Sequence, residues 1–100
     1  MDRLNLPARE ALTDLCRRWQ VMELAVFGSV ARGSSRADSD LDLLVTFGPD
    51  APWDALDIVD LRAELAELFG RTVDLVEEKA IRNPYRRESI GRDKSVLYTS

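Results

Sequence analysis

Apolar and polar positions alternate along this chain with two different periods. Ala8, Ala11, Leu12, Leu15, Cys16 and Trp19 recur at i, i+3, i+4, i+7, i+8 and i+11. That spacing is one stripe of an amphipathic helix over residues 7–20, with Pro7 as its start signal. Residues 24–27 are a continuous apolar run that ends at Gly28, the pattern of a buried strand. Leu41, Leu43, Val45 and Phe47 alternate with Asp42, Leu44 and Thr46, a strand of period two. A breaker follows at residues 48–52, where Gly48, Pro49 and Pro52 cluster.

Ile58, Leu61, Leu65 and Leu68 then form the stripe of a second helix, from Asp54 to Phe69, with Gly70 at its C-cap. Residues 72–76 read as a third strand. Asn83 and Pro84 suit the N-cap and first position of a short helix that runs to Ile90. Residues 95–98 are β-prone and suit an edge strand. A further short helix is expected over residues 29–32, closed by Gly33, followed by a polar loop over residues 34–38. The order is α-β-α-β-α-β-α-β within a single domain, 1–100. It predicts an α/β (α+β) fold in which helices cover a small mixed β-sheet. Because the 28–39 connection is short, it favours hairpin-like pairing over a full parallel crossover.

Composition narrows the chemistry. The chain has 100 residues, 45% of them hydrophobic, and no apolar run long enough to span a membrane. No signal-peptide pattern opens it. Its one cysteine cannot close an internal disulfide, which suits the reducing cytoplasm, and its position on the first apolar stripe suits a core residue. There is no histidine, which removes His-containing zinc sites and Ser-His or Cys-His nucleophile systems. Residues 1–78 carry 8 basic and 16 acidic side chains, whereas residues 79–100 carry 6 basic and 2 acidic. The acidic body argues against direct nucleic-acid binding, whose affinity comes largely from phosphate neutralisation. The basic tail suits either a triphosphate, an acidic partner surface or a solvated helix face.

The candidate chemistry lies in two short stretches. Gly28 and Ser29 follow a strand, where glycine lets the backbone approach a ligand and the next turn offers free N–H groups to phosphate. Arg32 adds a fork of guanidinium donors. A plain strand-to-helix turn with a surface arginine would look the same. After ten intervening residues Ser29 is followed by Asp40 and Asp42, two positions apart on a strand and so on one face, with Cα atoms about 6.5–7 Å apart. Asp74 sits inside the third strand, and joins them on that face if the two strands are neighbours. A polar edge-strand face is the bland alternative. It suits Asp40 better than Asp42 or Asp74, which interrupt apolar strands. Carboxylates alone are hard oxygen donors, suited to Mg²⁺ or Mn²⁺ together with substrate phosphates.

Taken together, residues 28–45 resemble the nucleotidyltransferase superfamily of DNA polymerase β. They are most similar to the minimal nucleotidyltransferases (MNT), often the antitoxin halves of HEPN/MNT toxin–antitoxin pairs. The shared signature is Gly-Ser-x-Ala-Arg-Gly, a short spacer, then Ser-Asp-x-Asp-Leu-x-Val. Here it includes Ala31, Arg32, Gly33, Ser39, Leu43 and Val45. The stretch from Asn83 to Arg87 and that from Val96 to Tyr98 resemble the group's C-terminus. The resemblance implies that Gly28 and Ser29, with Arg32, bind the nucleotide triphosphate. It implies that Asp40, Asp42 and Asp74 are the catalytic residues and hold two Mg²⁺ ions. The implied reaction moves AMP from ATP to a hydroxyl, a tyrosine of a HEPN-type toxin partner, and Tyr85 and Tyr98 are expected to be packing residues instead. Larger relatives carry a second helical domain for the acceptor, so a partner protein or a homo-oligomer would supply that surface here. Two other readings share the motif: an antitoxin that neutralises by binding alone, and a transferase for a small molecule.

Overall fold

The structure is a computed structural model, and it describes residues 7–28 and 40–100. The described residues form four strands and three α-helices: α1 (Arg9–Arg18), β1 (Val21–Phe27), β2 (Leu41–Phe47), α2 (Ala55–Phe69), β3 (Val73–Glu77), α3 (Pro84–Asp93) and β4 (Ser95–Thr99). A 3-10 turn, Glu78–Ala80, joins β3 to α3. The short helix expected over residues 29–32 lies outside the described residues.

Local sequence explains most of the boundaries. α1 has Glu10 in its first turn and Arg17 and Arg18 in its last, each complementing the helix dipole. It starts two residues later than Pro7 suggests, because Ala8 is the N-cap and Pro7 precedes it. The Asp54 carboxylate accepts from the Asp57 N–H at 2.9 Å, and Asp57 returns the bond to the Asp54 N–H at 3.1 Å. This capping box pins the start of α2. Gly70 ends the helix in the left-handed region, φ 70°, where its missing Cβ removes the usual penalty. Asn83 caps α3 by accepting from Tyr85 and Arg86, and Pro84 takes the first helical position; the helix runs on to Asp93, beyond the expected Ile90.

The sheet order is β3-β2-β1-β4. β1 is antiparallel to both β2 and β4, while β2 and β3 are parallel. The short connection between β1 and β2 therefore makes the hairpin-like pairing that its length favours, and β4 is an edge strand as its composition suggests. The β2-to-β3 crossover is carried by α2, as a parallel pair requires.

Among the described residues the two faces of the sheet are covered unequally. α1 and α2 pack Leu12, Leu15, Cys16, Leu61, Leu65 and Phe69 onto Leu24, Val26, Leu41, Leu43, Val45 and Val73. Fully burying a leucine contributes about 1.5–3 kcal/mol, so this layer supplies most of the stability. Ala8 and Ala11, expected on the α1 stripe, are exposed, whereas Trp19 is half-buried against Trp53 with ring centroids 4.8 Å apart. On the opposite face, Phe27, Leu44, Ile81 and Ile90 form a smaller cluster with Val76 beside it.

Candidate active site

β2 alternates strictly at its N-terminal end. Leu41 and Leu43 are fully buried under α1 and α2, which turns Asp42 to the thinly covered face. Asp40 precedes the strand and is exposed; Asp42 is half-buried. β3 enters alongside β2 through a 2.8 Å bond from the Leu41 N–H to the Thr72 carbonyl. The parallel register then places Leu41 beside Val73 and Asp42 beside Asp74. The two interior aspartates are thus cross-strand neighbours, and Asp74 is exposed at the sheet edge. On the other side Asp42 pairs with Phe27, the last residue of β1.

Gly28 follows Phe27 directly and adopts φ 73°, a conformation that side-chain-bearing residues rarely take. A Cβ built on it would lie 3.3 Å from the Asp42 Cγ and closer still to one of its carboxylate oxygens. The glycine turn and the carboxylate strand, separated by a dozen residues in sequence, are therefore in contact through a gap that no other residue type leaves open. Ser29 and Arg32 lie outside the described residues.

The donor set fits a hard divalent cation. Only carboxylate oxygens are offered, the chain has no histidine, and its cysteine is buried in the other face. Burial pushes the Cys16 thiol up to about 11, which removes it from both metal binding and nucleophilic chemistry near neutral pH. Among the described residues no three acidic, histidine or cysteine side chains close around one point. The described residues include Asp40, Asp42 and Asp74: the register brings Asp42 and Asp74 together, and Asp40 is not grouped with them around one point.

Sequence reasoning missed the apolar floor of this site. Phe27 and Leu44 flank Asp42 on the same face and are closed over by Ile81 and Ile90. Phe27 ends a continuous apolar run, residues 24–27, all buried, so no alternation in the sequence shows which of them faces the site. Tyr98 is packed against the core as expected. Tyr85 is not a packing residue: it is 82% exposed, because α3 buries only Ile90 and turns its first turn to solvent.

Comparison with known proteins bears on what this arrangement does. The family model described as the nucleotidyltransferase domain matches residues 8–97. The protein adenylyltransferase MntA of Thermococcus cleftensis is 39% identical over 70 residues, 70% of this chain and 69% of that one. A solved structure provisionally described as a minimal nucleotidyltransferase is 44% identical with a TM-score of 0.71, covering 87% of this chain and 86% of that one. A complex of a tri-AMPylated Shewanella oneidensis HEPN toxin with an MNT antitoxin matches in fold, with a TM-score of 0.64 at 18% identity, over 92% of this chain and 70% of that one.

Proposed function

We propose that this chain, which belongs to the nucleotidyltransferase-domain family and is a minimal nucleotidyltransferase, transfers AMP from ATP to a tyrosine hydroxyl of a HEPN-type toxin and so acts as its antitoxin in the cytoplasm. The observation that carries this reading is the meeting of Gly28 with Asp42, and of Asp42 with Asp74, at one end of the sheet. The Thermococcus relative is named for protein adenylylation, and the Shewanella complex pairs an MNT antitoxin with an AMP-modified toxin. Among the described residues no helix is long and apolar enough to cross a membrane.

Each side chain has a task in this scheme. The backbone at Gly28, with Ser29 and Arg32 beyond it, receives the triphosphate. Asp40, Asp42 and Asp74 would hold two Mg²⁺ ions, which would offset charge on the triphosphate and the departing pyrophosphate. The acceptor oxygen forms a bond to the α-phosphorus as the bond from that phosphorus to the β-phosphate oxygen breaks. Pyrophosphate leaves with the electron pair. The hydroxyl proton passes to the exposed Asp74 carboxylate, the base that a histidine-free chain can offer. Phe27 and Leu44 exclude water beneath the reacting groups.

The test is to incubate the protein with α-labelled ATP, Mg²⁺ and the HEPN protein encoded beside it. Label on a tyrosine of that protein, lost when Mg²⁺ is chelated, is the expected result. Neutralisation of the toxin without label, undiminished in an Asp42→Asn variant, would mean that the chain works by binding alone.

A further inference from the structure

The two edges of the sheet are guarded very differently. An exposed edge presents unpaired N–H and C=O groups, and proteins usually blunt it with charge, proline or a bulge. Asp74 and Glu77 lie within β3, and Lys79 follows it. β4 is a run of five residues, Ser95–Thr99, with no charge, proline or glycine, and its Val96 is 47% exposed. Lys94 stands just before it but does not guard it, because Glu23 of β1 holds its ammonium at 2.8 Å.

Beside this edge a groove of about 620 Å³ runs between β4 and α1. α1 lines it with Arg9, Thr13 and Arg17, one face of the helix at i, i+4 and i+8. Both arginines are exposed, and among the described residues neither guanidinium has a hydrogen-bond or ion-pair partner, whereas that of the adjacent Arg18 is held by Glu64 at 3.1 Å. Among the described residues two unpaired guanidinium groups thus flank an uncharged edge strand, whose one irregularity is a register shift against β1 at Leu97, on a protein whose first 78 residues are strongly acidic.

We infer that this edge and groove accept an extended acidic segment of a partner protein, which adds a strand to β4 while its carboxylates meet Arg9 and Arg17. The eight residues from Arg9 to Arg17 advance about 12 Å along a helix, a distance that about four strand residues cover. The segment therefore carries its acidic side chains four positions apart, a spacing that keeps both on one face. Main-chain bonds to β4 supply affinity, and the arginine pair selects sequence and register. A second copy of the chain is a poorer occupant. Two-fold pairing of β4 with β4 would bring two basic α1 faces together, and like charges across an interface oppose association. β2 and β1 separate this edge from Asp74, so docking here is distinct from the transfer chemistry.

The probe is a fluorescein-labelled peptide, Thr-Glu-Val-Thr-Val-Glu-Thr, read by anisotropy and by backbone amide shifts of the full-length protein. The expected result is binding that shifts the Val96 and Tyr98 amides. Replacing both peptide glutamates by lysine, or N-methylating alternate peptide amides, should weaken it by at least about tenfold. The Arg9→Glu/Arg17→Glu double variant should lose binding, while the dipole contribution lost at Arg17 and gained at Arg9 keeps its thermal unfolding within about 4 °C of the wild type. The proposal is overturned if the peptide leaves the β4 amides unshifted, or if binding ignores the charge or methylation of the peptide. It is also overturned if sedimentation shows wild-type self-association that Val96→Lys abolishes. The peptide arms use the wild-type protein, so the test holds even if a variant misfolds.

Discussion

The two faces of the sheet set stability against chemistry. One is closed by two helices and presses Leu24, Leu41, Leu43, Val45, Leu61 and Leu65 to near-zero exposure. The other has, among the described residues, a cluster of four buried side chains, with Asp42 half-buried and Asp74 exposed beside it. Strand alternation forces this division: every residue of β2 that anchors the core turns its neighbour toward the open face. The lesson is that the deep core fixes the register, and the register alone brings Asp42 and Asp74 side by side from different strands. Changes on the first face should therefore cost folding, and changes on the second should cost transfer.

The sharpest way to break that comparison is Leu61→Ala. It should lose about 2–5 kcal/mol of stability in urea unfolding. The label transferred per folded molecule should stay unchanged; a matching loss of transfer would show that the faces are not separable. Asp42→Asn should do the reverse. Transfer should fall by at least about 100-fold, and stability should move by less than about 1 kcal/mol. Gly28→Ala crosses the divide. Holding alanine in the left-handed region costs about 1–2 kcal/mol, and its methyl displaces the Asp42 carboxylate, so both stability and transfer should drop. Transfer at wild-type rate in that variant would refute the contact as functional.

The smallest effect concerns Cys16. Its folded pKa lies above its unfolded one, so the native state holds the proton longer between pH 9 and about 11. The thiol's contribution is constant below pH 9 and is lost as pH rises toward 11. At pH 8.5, thiol labelling should be slow in the native protein and fast in urea. Fast native labelling would mean that the packed face opens locally.

Much of this division could be read from the residues. The period-two run from Leu41 to Phe47 announced both the core anchors and the exceptional Asp42. Gly70 and the Asn83-Pro84 pair marked helix ends because their backbone preferences are strong and local. What depends on neighbours was not legible. The pairing of Asp42 with Asp74 rests on β3 lying next to β2, which no local preference sets. Tyr85 is expected to pack, yet α3 buries Ile90 alone and leaves the tyrosine in solvent. The groove that Arg9 and Arg17 line likewise depends on β4 lying beside α1, which no local preference sets.

β1 also has a consequence for how the molecule is made. It is flanked by β2 and by β4, and its Glu23 is tied to Lys94, 71 residues further on. A central strand with one near and one very distant partner must wait for the chain to close a large loop before its second edge is satisfied, and such closures slow folding. Nascent chains in which β1 and β2 have paired but β4 has not will present the long side of β1 unpaired. In a pairing of toxin with antitoxin, that delay sets a floor on how quickly a newly synthesised molecule can become competent.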